Sequence, residues 1–220
     1  MELGRRREMM RTASQPISPL PTGYTQYDYL RNIHYGNTVF LDTQYPSIDT
    51  DVFNYTITID FAIVAKNSLS DSCPFGGRPT TSNTVNDLTM YIQKNTTNKV
   101  SIHYGGGDTG WQSFDATQRT AFTFHQGKIY TNGTLFYTLN VSSMVLKSGF
   151  PLRLYNRRNG NNNQNQSMDG KIYGFSIKDN NGNYVVNMIP CTNPSNVAGM
   201  YDTARNAFYQ PNVTMTAGND

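Results

Sequence analysis

Carboxylates set the first limit on what this chain can do. Its glutamates are Glu2 and Glu8, both within the first ten residues, so the body of the protein has only aspartate to offer. A glycosidase built on a β-sandwich needs a proton-donating acid and a second carboxylate a few ångströms away, and a Glu pair along one strand is ruled out. Asp49 and Asp51 are the closely spaced aspartates, and beside Pro46 and Ser47 they read as a polar turn entering a strand. Asp60, Asp108, Asp115 and Asp169 would form a site only if folding brought them into one cleft about 5 Å across. His34, His103 and His125 lack zinc spacing, Cys73 and Cys191 form no CxxC, and no GxSxG is present. No catalytic residue, no metal ligand set and no cofactor are expected. Calcium has no readable motif either, although Asp108 and Asp169 sit in oxygen-rich segments of the kind that hold it.

Binding chemistry has more material. Gly105–Gly110, GGGDTG, lacks the Gly-Lys-Ser/Thr ending of a phosphate loop and reads as a mobile surface loop. It leads into Trp111, the one tryptophan in the chain. Trp111 is either a core side chain or a flat platform for a sugar, with Tyr104 and His103 beside it and Asp108 available to fix hydroxyls. Asn161 and Asn163, in the loop NGNNNQNQ, offer further donors and acceptors. Arg153, Arg157 and Arg158 cluster next to that loop, and alternation with Leu152 and Leu154 places Arg153 on a solvated face.

The elements that must position these residues are strands. In NYTITIDFAIVAK, Tyr55, Ile57, Ile59, Phe61 and Ile63 share one face, while Thr56, Thr58, Asp60 and Ala62 share the other. DLTMYIQK alternates at Leu88, Met90 and Ile92, KVSIHYG at Val100, Ile102 and Tyr104, and KIYGFSIKD at Tyr173, Phe175 and Ile177. Asn132-Gly133 predicts a two-residue hairpin turn between KIYT and TLFYTL. PLRLYNRR reads as one strand, and residues 66–86 as a long polar loop. About ten strands with Gly and Asn turns, and no helical period, predict an all-β, two-sheet antiparallel sandwich.

With 220 residues, 15 Tyr, 11 Phe and a formal charge of +3, the chain has the size of one core plus appendages. Four arginines against two glutamates give residues 1–20 a charge of +2. The other 14 basic and 13 acidic groups leave the body at +1, which provides no footprint for nucleic acid. No apolar run is long enough for a membrane span, and the N-terminus has no secretory signal. Assembly in a cytoplasm is therefore expected, with Cys73 and Cys191 as free thiols and a single bridge as the alternative. The division is an extended basic, Pro-rich arm at 1–20, a sandwich at 21–212 and a tail at 213–220.

LPTGYTQYDYL, LDT, KIYTNG, DGKIYGFSIKD and NMIPCTNPSNVAGMYDTARNAFYQ together resemble a module of tailed-bacteriophage virion proteins, similar to concanavalin A-like, laminin-G-type jelly rolls. The likeness runs from about Leu20 to Gln210, and its most specific part is Pro190, Cys191, Gly199, Tyr201, Asp202, Phe208 and Tyr209. It implies a non-enzymatic virion component: a capsid-associated auxiliary or decoration protein, or a head-fibre or tail module that touches host-surface glycan. Ordering the arm costs roughly 1–2 kcal/mol per residue, so the expectation is that it lies on a neighbouring virion subunit, the major capsid protein first. Met9, Met10, Ile17 and Leu20 would be its apolar anchors and Arg5, Arg6, Arg7 and Arg11 its carboxylate clamps. The glycan-binding alternative rests on Trp111, Tyr104, Asp108, Asn161 and Asn163.

Overall fold

Ile57, Ile59, Phe61 and Ile63 are buried along the strand Thr56–Ala65 while its polar residues turn outward, as the alternation predicts. The computed structural model describes residues 20–34, 39–65, 70–79, 85–159, 162–163 and 166–220, and among these there is no helix. Residues 1–19 lie outside that set, so of the arm's expected anchors only the half-buried Leu20 is described.

Two sheets pack face to face in a jelly-roll sandwich. The larger has the path Thr134–Thr138, Lys128–Thr131, Thr120–His125, Thr56–Ala65, Asp169–Lys178, Tyr184–Thr192, Ala198–Asp202, Ala207–Tyr209. The second runs Gln112–Ser113, Lys99–Tyr104, Leu88–Ile92, Phe75–Arg78, Arg153–Leu154, Leu41–Asp42. Pairing is antiparallel apart from Arg157–Asn159, which runs parallel to Phe75–Arg78. Register builds the core in rows: Phe122 opposes Ile59, which opposes Phe175, which opposes Met188, and the next row is Phe124, Ile57, Ile177 and Val186. From the second sheet, Leu88, Met90, Ile92, Val100, Ile102 and Tyr104 face these rows. The predicted hairpin is present, with Asn132 and Gly133 at φ 48° and 82°.

Several local readings are corrected. Tyr173 does not share the face of Phe175 and Ile177, because a bulge between Ile172 and Gly174 puts Ile172 opposite Phe61 and leaves Tyr173 under Arg119 on the outside. The segment taken as a polar loop from 66 to 86 contains the strand Phe75–Arg78, wholly buried in the middle of the second sheet. PLRLYNRR is two strands rather than one, broken where Tyr155 takes φ 66°. The tail beyond 212 is also part of the fold: Thr216–Gly218 pairs with Tyr29–Asn32. There the Asp28 amide donates to the Asn219 side chain at 3.1 Å.

The motifs at the two ends of the chain meet. Tyr24 of LPTGY packs edge-on against Tyr201 and Phe208, with ring centroids 5.1 and 5.8 Å away. Buried Asp202 accepts the backbone N–H groups of Asn187, Ala204 and Arg205 and pairs with the Arg205 guanidinium, which fixes the turn of that hairpin.

GGGDTG is a pinned hairpin rather than a mobile loop. Gly105 donates to the Asp87 carbonyl at 3.0 Å, and Gly107–Asp108 folds back onto His103 and Tyr104. Gly105 has φ +59°, and a Cβ there would stand 2.3 Å from the Ser143 carbonyl oxygen. Left-handed backbone alone costs an L-residue about 1–2 kcal/mol. With the clash added, Gly105→Ala is expected to lower unfolding free energy by at least about 2 kcal/mol. Urea titration checks this, and a loss under half that figure would mean the turn can shift freely.

Candidate functional site

Cross-strand register draws a line of side chains over the outer face of the second sheet. Asp108 opposes His103, His103 opposes Thr89, Thr89 opposes Gly76, and Gly76 opposes Arg157. A neighbouring row pairs Tyr91 with Ser101. Because opposed residues point to the same side, the positions that alternate with the core residues of these strands form one surface. Gly76 keeps the middle of it low: a Cβ there would come within 2.9 Å of the Thr89 side chain.

The surface is hollowed into a recess of about 350 Å³ lined by Asp71, Tyr91, Ser101, His103, Asp108, Gly110, Trp111, Arg157 and Gln166. Its floor is a polar network anchored on Asp87, which is fully buried. Asp87 accepts the Thr89 hydroxyl at 2.8 Å, lies 3.2 Å from His103 Nδ1, and forms an ion pair with Arg78 Nε at 3.1 Å. The other imidazole nitrogen is 3.5 Å from Asp108 Oδ2. Asp108 also accepts the Ser101 hydroxyl at 3.1 Å and the Gly110 N–H at 2.8 Å. Asp71 accepts the Lys94 N–H at 2.9 Å.

Aromatic surface supplies the rest. Trp111 is 40 % exposed at the rim, so it is a surface side chain and not a core one. Tyr91 stands edge-on to His103, with centroids 5.2 Å apart, and carries the Arg157 guanidinium 5.1 Å above its ring. Burial raises the Tyr91 phenol well above its ordinary range, with Arg157 opposing, so it remains a neutral hydroxyl at any physiological pH.

Arg157 is the unusual member. Only 8 % exposed, it donates through Nε to Gln166 Oε1 at 2.7 Å, while Nη1 is enclosed without an acceptor. Arg31, Arg78, Arg119, Arg153 and Arg205 each hold an aspartate, and among the described residues Arg157 holds none.

Among the residues named from sequence, Trp111, His103 and Asp108 are brought together. Tyr104 is not: it is 1 % exposed on the core side, its ring stacked on Phe124 at 6.3 Å. Asn161 lies outside the described residues, and Asn163 is described by its backbone alone, in the short strand Asn162–Asn163. Arg153 and Arg157 are not solvated. Arg153 is 7 % exposed, stacked on Phe40 at 3.8 Å and 3.6 Å from Asp42, because the strand Leu41–Asp42 covers that edge. Asp60, Asp115 and Asp169 are dispersed, Asp60 to Arg119, Asp115 to the Thr117 turn and Asp169 to Arg31, and Asp108 is the one of the four in the recess. Among the described residues no three His, Cys, Asp or Glu side chains are grouped to hold a metal ion. Cys73 and Cys191 are both buried free thiols, with burial pushing Cys73 up to about 12 and Cys191 up to about 11.

Sequence reasoning missed Tyr91, Ser101, Asp71, Gln166 and the role of Arg157. One signal was available. The mid-strand outward positions of DLTMYIQK and KVSIHYG are Thr89, Tyr91, Ser101 and His103, with lysine only at Lys99 where the second strand begins.

Fold and recess together define a jelly-roll sandwich with an open, aromatic-rimmed polar hollow on one outer face. No protein-family profile matches the chain, and no curated protein sequence matches it. Among solved structures it is similar to the native heptameric SAP-like pentraxin from Limulus polyphemus, with 14 % identity over 66 % of this chain and 78 % of that one and a TM-score of 0.39.

Proposed function

We propose that this chain is a non-enzymatic, capsid-associated auxiliary protein of a bacteriophage virion whose sandwich presents a glycan-binding recess. The observation that carries the binding half is the exposed Trp111 indole at the rim of a hollow whose other walls are hydrogen-bonding side chains. A pyranose has an apolar face for an indole and a ring of hydroxyls for carboxylate, imidazole and amide groups. Asp108, Asp71, His103, Ser101 and Gln166 supply those groups.

The same wiring argues against turnover. Ser101 donates to Asp108 instead of His103, so His103 activates no hydroxyl nucleophile. Both aspartates at the recess are already engaged by backbone donors, Asp71 by the Lys94 N–H and Asp108 by the Gly110 N–H. Support for the virion half is the resemblance of the terminal motifs and the composition of residues 1–20, with the capsid protein as the partner of that arm.

Titrating the full chain against host-surface polysaccharide fragments tests the binding half. Trp111→Ala is expected to weaken binding about tenfold, or ~1.4 kcal/mol, with only a modest fall in the urea midpoint, because the residue is 40 % exposed. Equal affinity in the variant would remove Trp111 from the site. For the virion half, removal of residues 1–20 is expected to abolish incorporation into particles.

A further inference from the structure

We propose that the recess selects an acidic sugar, with a single ring carboxylate seated against Arg157. This rests on the glycan-binding reading above. Arginines elsewhere in the described structure are matched to aspartates, including the buried pair Arg78–Asp87 a strand away. Arg157 is as buried as Arg78 and Arg153 and lines the recess, yet among the described residues no carboxylate is paired with it. A buried cation without a counter-charge is costly, and a carboxylate seated in the recess beside the guanidinium supplies one in the planar geometry that guanidinium favours. Gln166 on Nε and the Tyr91 ring beneath hold the guanidinium in place before any ligand arrives.

The remaining walls narrow the class. Asp71 and Asp108 also line the hollow and carry negative charge, so a densely sulfated or phosphorylated chain would meet repulsion there. One carboxylate at the Arg157 end, hydroxyls toward the two aspartates and an apolar ring face on Trp111 describe a uronic or nonulosonic acid residue.

The test is calorimetric titration of the full chain with tetragalacturonate, its methyl ester, the methyl glycoside of N-acetylneuraminic acid and a neutral galactose tetramer. One or both of the acidic ligands is expected to bind at least about tenfold more tightly than the uncharged ones. Arg157→Gln should erase that preference while leaving weak, Trp111-dependent binding, and Arg157→Lys should restore part of it. The acid-to-ester comparison needs no variant, so it stands even if Arg157→Gln does not fold. Acidic and uncharged ligands binding alike, with Trp111→Ala weakening both, would overturn the acidic preference and leave the glycan reading intact. No binding of any of the four would overturn both.

Discussion

Asp87→Ala is expected to cost about 3–5 kcal/mol of unfolding free energy, the usual penalty for removing one partner of a buried ion pair. The Arg78 side chain is 9 % exposed and Asp87 is its carboxylate, so truncation leaves a guanidinium in the sheet without its counter-charge. Two more groups lose their acceptor at once, the Thr89 hydroxyl and the Nδ1 edge of His103. Asp87 also gives its backbone carbonyl to Gly105, so the loss falls where the hairpin carrying Asp108 is pinned. Urea-induced unfolding reads the effect. Asp108→Ala is the contrast: its side chain is 45 % exposed, and it should cost no more than about 0.5–1 kcal/mol while weakening ligand binding. Equal costs for the two would show that the floor of the recess is not anchored on Asp87.

Phe122→Ala should be of similar size, about 3–5 kcal/mol, for a different reason. Phe122 is fully buried between the sheets and touches three other rings, Phe61 at 5.9 Å, Phe114 at 4.8 Å and Phe136 at 5.9 Å between centroids. Removing the ring opens a cavity, and the rigid strands on either side, fixed by the register with Thr56–Ala65 and Lys128–Thr131, have little freedom to fill it. Phe114, only partly buried against the same cluster, should lose less on the same change. Thermal or urea unfolding of the two variants side by side checks the order, and a smaller loss for Phe122 would contradict the placement of the core.

The architecture was legible because its signal is local. In Thr56–Ala65 and Lys99–Tyr104 each buried residue is two positions from the next, and the Asn132-Gly133 turn names its own backbone. Legibility failed where long-range packing overrode the pattern. Phe75–Arg78 contains two glycines and no alternation, and it is a strand because neighbours on both sides complete its ladder. Tyr173 left its expected face through a bulge that no residue announces. The site shows the same division. Trp111, His103 and Asp108 were within reach because they lie in one short stretch, whereas Arg157 and Gln166 arrive from a distant segment, and a buried arginine cannot be told from a solvated one by alternation. Tyr104 was misplaced for the opposite reason: adjacency in sequence along a strand puts consecutive side chains on opposite faces.

Pairing of Tyr29–Asn32 with Thr216–Gly218, closed by a hydrogen bond across 191 residues, bears on how the chain folds. Until Thr216–Gly218 is in place, the backbone of Tyr29–Arg31 is paired with Asp169–Lys178 on one side and waits on the other with nothing to bond. Contacts so distant in sequence form slowly. Completion of the sandwich therefore waits on Thr216–Gly218, and copies in which that strand has yet to dock are open to strand exchange with each other along Tyr29–Arg31.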